Sequence, residues 1–299
     1  MNIVYLNGEF IPQEKAFVSV MDRGFLFGDG VYESLPVYAG HLLGLSLHLA
    51  RLQRSLAGIR MAPPLSDQQW EGVLHELLVL NDKQTMDQSI YIQITRGPEA
   101  VRNHAIPSDI KPTVLAVCLP PKQTSYKVLS AGLSAITVED RRRSDCHIKA
   151  INLLPNVLAY DQARQAGSAE AILIRNGEAL EGTSSNLFIV KQGVIITPPL
   201  SPHILSGITR TLILQLAEQN HIPYQETPIT ETMLSAADEI WLTGSLKEIY
   251  PIVRLNDKPV GSGKVGTLWF TLYDLYAKLK TTAHLSLEAK KPNSPETRS

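Results

Sequence analysis

Hydrophobic residues recur along this chain at two different spacings, and the changes of spacing mark its elements. Ile3-Val4-Tyr5-Leu6 and Phe10-Ile11 flank Asn7-Gly8, a pair that accepts the positive φ of a type I′ turn, which predicts an opening hairpin. Leu45, Leu49, Leu52, Leu56 and Ile59 fall four and three residues apart, predicting a helix over 46–59. Trp70, Val73, Leu74, Leu77 and Leu78 predict a second over 70–80. Residues 89–96 alternate strictly, with Ile90, Ile92 and Ile94 on one side, and 113–119 read as a further strand. Pro120-Pro121-Lys122-Gln123-Thr124-Ser125 then breaks the pattern.

The second half is richer in strands. One is expected over 131–140, followed by a helix over 152–166. Two hairpins turn on Asn176-Gly177 and Gln192-Gly193. A helix opens at Ser206-Gly207-Ile208-Thr209, a short strand covers 239–243, and a closing helix spans 266–280. The polar stretch from about Glu288 is expected to be disordered. The pattern divides the chain into a smaller unit over 1–119, a linker over 120–126, a larger unit over 127–282 and a tail over 283–299. Strands interleaved with helices give the α/β (α+β) class.

Composition narrows the function. With 28 basic against 29 acidic residues the net charge is −1, which disfavours a nucleic-acid surface or a polybasic membrane anchor. No apolar run is long enough for a bilayer span, and Met1 leads directly into IVYLNGEFIP without a basic n-region. Cys118 and Cys146 are the two cysteines, each in strand-like apolar surroundings, so a reducing cytoplasmic compartment is expected, with no disulfide framework and no metal site.

The candidate chemistry centres on Lys149, between Ile148 and Ala150 where extended chain meets a helix. Apolar neighbours would desolvate its ammonium and lower its pKa, as a Schiff-base lysine requires; a lysine that simply snorkels to the surface is the alternative. Pyridoxal 5′-phosphate needs such an amine, an acid for its ring nitrogen and a cradle for its phosphate. Glu181, at a strand end before Gly182-Thr183-Ser184-Ser185, is a candidate acid, although taken alone it reads as a solvated turn residue. Ile208 and Thr209 at a helix start, Ser245 after Gly244, and Arg51 are candidates for the phosphate. The three glycines of Arg23–Glu33 (RGFLFGDGVYE) suggest a backbone that turns tightly beside something large.

These segments form an ordered set: RGFLFGDGVYE, His48-x-x-Arg51-Leu52, Thr95-Arg96-Gly97, Lys149-x-x-Asn152-Leu153-Leu154, Glu181–Asn186 (EGTSSN) and Ser206–Arg210 (SGITR). In this the chain resembles the fold-type IV pyridoxal phosphate enzymes, the class IV aminotransferases, from about Ile3 to Leu279. The resemblance implies two α/β domains with the cofactor between them, and a homodimer whose sites draw on both protomers. It also implies Lys149 as Schiff-base lysine and general base, Glu181 at the ring nitrogen, and Arg51, Ile208, Thr209 and Ser245 at the phosphate. Within the family, Tyr32 with Arg102-x-His104 resembles the substrate-carboxylate trap of D-amino acid aminotransferases. That implies ping-pong transamination of D-alanine with 2-oxoglutarate. Branched-chain aminotransferases and aminodeoxychorismate lyases are the alternatives on the same scaffold, and a non-catalytic pyridoxal phosphate-binding protein is a more distant one. Gly244-Ser245-Leu246-Lys247 departs from the hydroxyl-rich loop common in the family, and Ser34 stands where an aliphatic residue is common.

Overall fold

Asn7 and Gly8 take positive φ (52° and 102°) and join β1 (Ile3–Leu6) to β2 (Glu9–Pro12), as the hairpin requires. In the computed structural model, which describes residues 2–83, 85–120 and 124–286, this hairpin lies at one edge of a six-stranded antiparallel sheet. A one-turn helix, α1 (Arg23–Phe27), comes next; its Asp22 cap accepts from the Gly24 N–H at 2.7 Å. Then come β3 (Gly30–Tyr38), β4 (His41–Leu42), α2 (Leu45–Gly58), α3 (Asp67–Leu80), β5 (Gln88–Thr95) and β6 (Thr113–Leu119). The sheet order is β2-β1-β6-β5-β3-β4. Helices α2 and α3 press Leu49, Leu52, Leu56, Trp70, Leu74 and Leu77 onto Leu35, Ile90, Ile92 and Ile94, forming the first core. Helix α3 starts ahead of its apolar pattern because Ser66 and Gln69 form a reciprocal capping box.

After α4 (Tyr126–Ala131) the chain builds a second, mixed sheet. Its elements are β7 (Leu133–Glu139), α5 (Leu154–Gln165), β8 (Glu170–Arg175), β9 (Glu178–Gly182), β10 (Asn186–Lys191), β11 (Val194–Thr197) and α6 (Ile208–Gln219). They continue with β12 (Tyr224–Glu226), β13 (Ile229–Thr230), α7 (Glu231–Ser235), β14 (Glu239–Gly244), β15 (Glu248–Leu255), β16 (Lys258–Pro259) and α8 (Thr267–Ser286). The strand order is β12-β11-β10-β14-β15-β7-β8-β9-β13, with β16 on β15. Helices α6 and α8 cover one face through Ile213, Trp269, Leu272 and Tyr276.

Several expectations shift. Helix α5 begins at Leu154, two residues late, with Pro155 in its first turn, where a missing N–H costs nothing. Cys146 lies in irregular chain rather than a strand, and both cysteines are free. Strand β15 has no counterpart in the periodicity: Pro251 interrupts it, and it is buried on both faces. Helix α8 runs to Ser286, so it takes in the first four residues of the stretch expected as a tail over 283–299; the rest of that stretch and the Pro121–Gln123 part of the linker lie outside the described residues.

The two sheets are joined at the Lys149 segment. The Tyr32 N–H donates to the Lys149 carbonyl at 2.9 Å and the Ile151 N–H to the Gly30 carbonyl at 3.1 Å, with Val31 and Ala150 forming an isolated antiparallel bridge. This close approach explains one of the glycines: a Cβ on Gly28, already at φ 67°, would stand 2.9 Å from the Asn152 Cβ. Gly30 is confined by its own sheet, where a Cβ would stand 2.7 Å from the Ile94 carbonyl oxygen of β5. At Gly28 the large neighbour anticipated for RGFLFGDG is therefore the lysine-bearing segment itself.

Leu52, only 1% exposed, packs next to the position that carries Arg51. Leu52→Ala should lower stability by about 2–5 kcal/mol, read as a fall in denaturant midpoint. A loss below about 1 kcal/mol would mean that the first core does not depend on α2.

Candidate active site

Residues of both sheets line one cavity of about 830 Å³. Strand β3 contributes through its two-residue period: Tyr32 and Ser34 face the cavity, while Glu33 between them points into the protein and is fully buried. Glu33 organises helix α2. Arg51 Nε and Nη2 donate to its two oxygens, both at 2.7 Å, and His48 Nδ1 lies 2.8 Å from Oε2. A carboxylate only accepts, so Nδ1 carries the proton. Arg51 Nη1 continues across to the Ser206 carbonyl at 3.0 Å, tying α2 to the approach of α6. Burial would raise the Glu33 carboxyl, but the Arg51 guanidinium and the His48 hydrogen bond hold it well below the usual carboxylate range. Burial lowers the His48 pKa and keeps the ring neutral; its Nε2 is buried without a partner among the described residues. Arg51 is thus buried, at 3% exposed, and held in place from both sides.

Lys149 enters from the segment bridged to β3. It is half-buried, its Nζ lies 4.2 Å from the centre of the Tyr32 ring, and its backbone N–H donates to Ser55 Oγ at 3.2 Å. Glu181 stands at the end of β9 and is 4% exposed. Its Oε2 accepts from Asn186 Nδ2 at 3.2 Å and from the Leu205 N–H at 3.1 Å, and its Oε1 pairs with Arg142. Burial pushes the Glu181 carboxyl up, and the Arg142 guanidinium pulls the other way. Arg142 is itself clamped by Asp140 at 2.8 and 2.9 Å and donates to the His203 carbonyl at 3.2 Å.

The third wall is built for an anion. Helix α6 starts after Gly207 with no side-chain cap, so its first N–H groups are open, and Gly207 and Ile208 line the cavity. Gly244 and Ser245 line it too, and the Thr243 Oγ1 in the same wall is buried with no partner among the described residues. Open amides, an orphaned hydroxyl and Arg51 together suit a phosphate group. Lys247 also faces the cavity but is spent on Glu170, and donates to Ser184 Oγ at 2.9 Å.

A model of the amino-transferase class IV family matches residues 30–255. The chain belongs to the class IV aminotransferases. It is 40% identical over 265 residues to the D-alanine aminotransferase of Bacillus licheniformis, covering 89% of this chain and 92% of that one. To the D-alanine aminotransferase of Staphylococcus aureus (strain COL) it is 38% identical over 279 residues, covering 93% and 98%. Among solved structures it is similar to the branched-chain amino acid aminotransferase from Escherichia coli, with TM-score 0.84, 26% identity and coverage of 93% and 94%. The enzyme of Thermoproteus uzoniensis, solved with norvaline, is similar at TM-score 0.84, 27% identity and the same coverage. The chain is therefore a pyridoxal phosphate-dependent aminotransferase on the fold-type IV scaffold.

Of the residues singled out by sequence, Tyr32, Arg51, Lys149, Glu181, Ile208 and Ser245 line the cavity. Thr209 is buried and does not line it. Arg102 and His104 are not brought to it either. They are exposed and gather on Phe27, with the Arg102 guanidinium 4.7 Å from that ring's centre and the His104 ring 5.1 Å from it. Sequence reasoning missed Glu33, Arg142 and Arg143. Glu33 had a usable signal, an acid at an inward position of a strand facing a His-x-x-Arg helix. The run Arg141-Arg142-Arg143 gave none, since its three members do different things.

Glu33→Gln leaves Arg51 buried without its counter-charge and should cost about 3–5 kcal/mol in denaturant unfolding. The sign with pH follows from the depressed folded pKa. The stabilisation from Glu33 is full above its ordinary value of 4.5 and drains as pH falls below it. The wild-type protein should therefore lose stability on acidification more steeply than the Glu33→Gln variant; parallel curves would remove Glu33 from this role.

Proposed function

We propose that this aminotransferase acts on D-amino acids, moving the amino group of D-alanine to 2-oxoglutarate to give pyruvate and D-glutamate. The observation that carries the reading is the meeting of Lys149, Glu181, Arg51 and the uncapped start of α6 in one cavity. High identity to D-alanine aminotransferases over most of the chain supports the D-amino acid side. The residues fit pyridoxal 5′-phosphate: Lys149 for its carbonyl, Glu181 for its ring nitrogen, and Arg51, the Ile208 and Thr209 amides and Ser245 for its phosphate. Thr209 would take part through its backbone, since its side chain is buried away from the cavity. When bound, the cofactor supplies an electrophilic carbon for amines and a ring that absorbs negative charge.

The chain's own groups do the rest. Lys149 Nζ is the base that takes the Cα proton of the donor amino acid and, in the reverse half-reaction, supplies the Cα proton of the amino acid that is made. Glu181, kept by Asn186, Leu205 and Arg142 in one orientation, presents a fixed acid to the ring. Tyr32 fixes one side of the substrate carboxylate. Arg102 and His104 would complete that trap from the second protomer of a homodimer, because in their own chain they lie against Phe27 and outside the cavity. Phe17, Val20 and Phe25, more than 70% exposed, offer apolar surface for such a partner. We assign the units expected over 1–119 and 127–282 as the domains flanking the site, a reading supported by the two separate sheets. Among the described residues no helix is long and apolar enough to cross a membrane, and with both cysteines free we assign the enzyme to the cytoplasm.

An absorption spectrum of the holoenzyme tests the reading. D-Alanine should bleach the visible cofactor band and L-alanine should not; bleaching by L-leucine alone would transfer the chain to branched-chain chemistry. Lys149→Ala should abolish turnover, and substantial residual transamination would refute Lys149 as the base. Arg102→Met should raise the apparent KM for D-alanine about tenfold or more. An unchanged KM would remove Arg102 from the site.

A further inference from the structure

The cations around the cavity sort into two kinds. Arg51, Arg142, Arg143, Lys149 and Lys247 all line it. Three are neutralised by acids within the chain: Arg51 by Glu33, Arg142 by Asp140 and Glu181, and Lys247 by Glu170. Lys149, the reactive amine, lies over the Tyr32 ring and makes no ion pair among the described residues. Arg143 is the remaining one. Its Nη1 donates to Asn152 Oδ1 at 2.7 Å and its Nη2 to the Ile148 carbonyl at 3.1 Å, both neutral acceptors, and it makes no ion pair among the described residues.

Neutral acceptors orient a guanidinium without cancelling its charge, and two hydrogen bonds leave part of its donor fork unspent. Those bonds also fix its place: one partner is the residue just before Lys149, the other lies three residues after it. An uncancelled guanidinium on the rim of the cavity, oriented by the segment that carries the reacting amine, is the geometry that accepts a carboxylate in bidentate fashion. The substrate carboxylate next to the reacting carbon already has a trap in the proposed function. A second carboxylate is what remains for Arg143.

We propose that Arg143 is the specificity-determining residue for dicarboxylic substrates, holding the distal carboxylate of 2-oxoglutarate and of the D-glutamate made from it. This rests on the transamination reading above. Lys247 is no competitor for the role, because its charge is spent on Glu170. Monocarboxylic partners such as pyruvate have no group for Arg143 to hold, so the residue selects between the two substrate classes.

The test uses Arg143→Met, which keeps the apolar stem and removes the charge, in the cofactor-loaded full chain. Two quantities are read. The first is the ratio of kcat/KM for 2-oxoglutarate to that for 2-oxobutyrate, with D-alanine as donor; it should fall about 10–100-fold. The second is calorimetric binding of glutarate, an unreactive dicarboxylate, to the resting enzyme, which should weaken by a similar factor. An unchanged ratio, or unchanged glutarate binding, overturns the proposal. Because glutarate binding needs no turnover, failure here and failure of the D-amino acid reading are separable. Arg143-dependent glutarate binding in a protein inert toward D-amino acids would sink the latter alone. Full D-alanine turnover with an unaltered ratio would sink this inference alone.

Discussion

The structure depends on what strand β3 can hold at once. Its backbone pairs with β5 on one side and, on the other, with the chain around Lys149. Its side chains divide by the two-residue period of a strand: Tyr32 and Ser34 to the cavity, Val31, Glu33 and Leu35 to the interior. One nine-residue strand therefore sets the height of the reactive lysine, supplies the ring beside its Nζ, and buries the carboxylate that orients Arg51. A one-residue slip would invert all of these together. Gly28, just before it, is what lets the second backbone come so close.

Charge is arranged by the same logic of fixed partners. A buried ion is tolerated only when its partner is buried with it, and the cavity wall follows this rule at Glu33 with Arg51, Asp140 with Arg142, and Glu170 with Lys247. Each pair immobilises a group without leaving net charge in the wall. Such pre-oriented groups need little rearrangement when a phosphate or carboxylate arrives. Glu181 is the poised member. Burial raises its carboxyl and Arg142 opposes the rise, so its proton affinity is set by the balance of the two.

Most regular elements were legible because their burial is one-sided. Helices α2 and α3 each have one apolar face, β5 alternates, and the Asn-Gly turns need a backbone that few other pairs accept. Strand β15, buried on both faces and carrying Pro251, has no periodicity to read. The short segments β12, β13, β16 and α7 are too brief to carry a period. Within the site, Lys149, Glu181 and Arg51 could be named because each sits in a motif whose residue types match one job. Arg142 and Arg143 could not be told apart, since adjacent residues of one type differ only in the direction their side chains take.

The sequence by itself determined the chemistry available: one lysine at a strand–helix junction, an acid before a run of hydroxyls, and glycine-led starts that leave amides open. Local patterning and backbone permissiveness are encoded within a few residues, so they survive without the fold. The tertiary structure alone decided which groups meet. It turned Arg51 inward to Glu33, left Arg102 and His104 on Phe27 away from the cavity, and spent Lys247 on Glu170 while leaving Arg143 unneutralised. Those outcomes depend on distances between residues far apart in the chain, and spacing along a sequence carries no information about them.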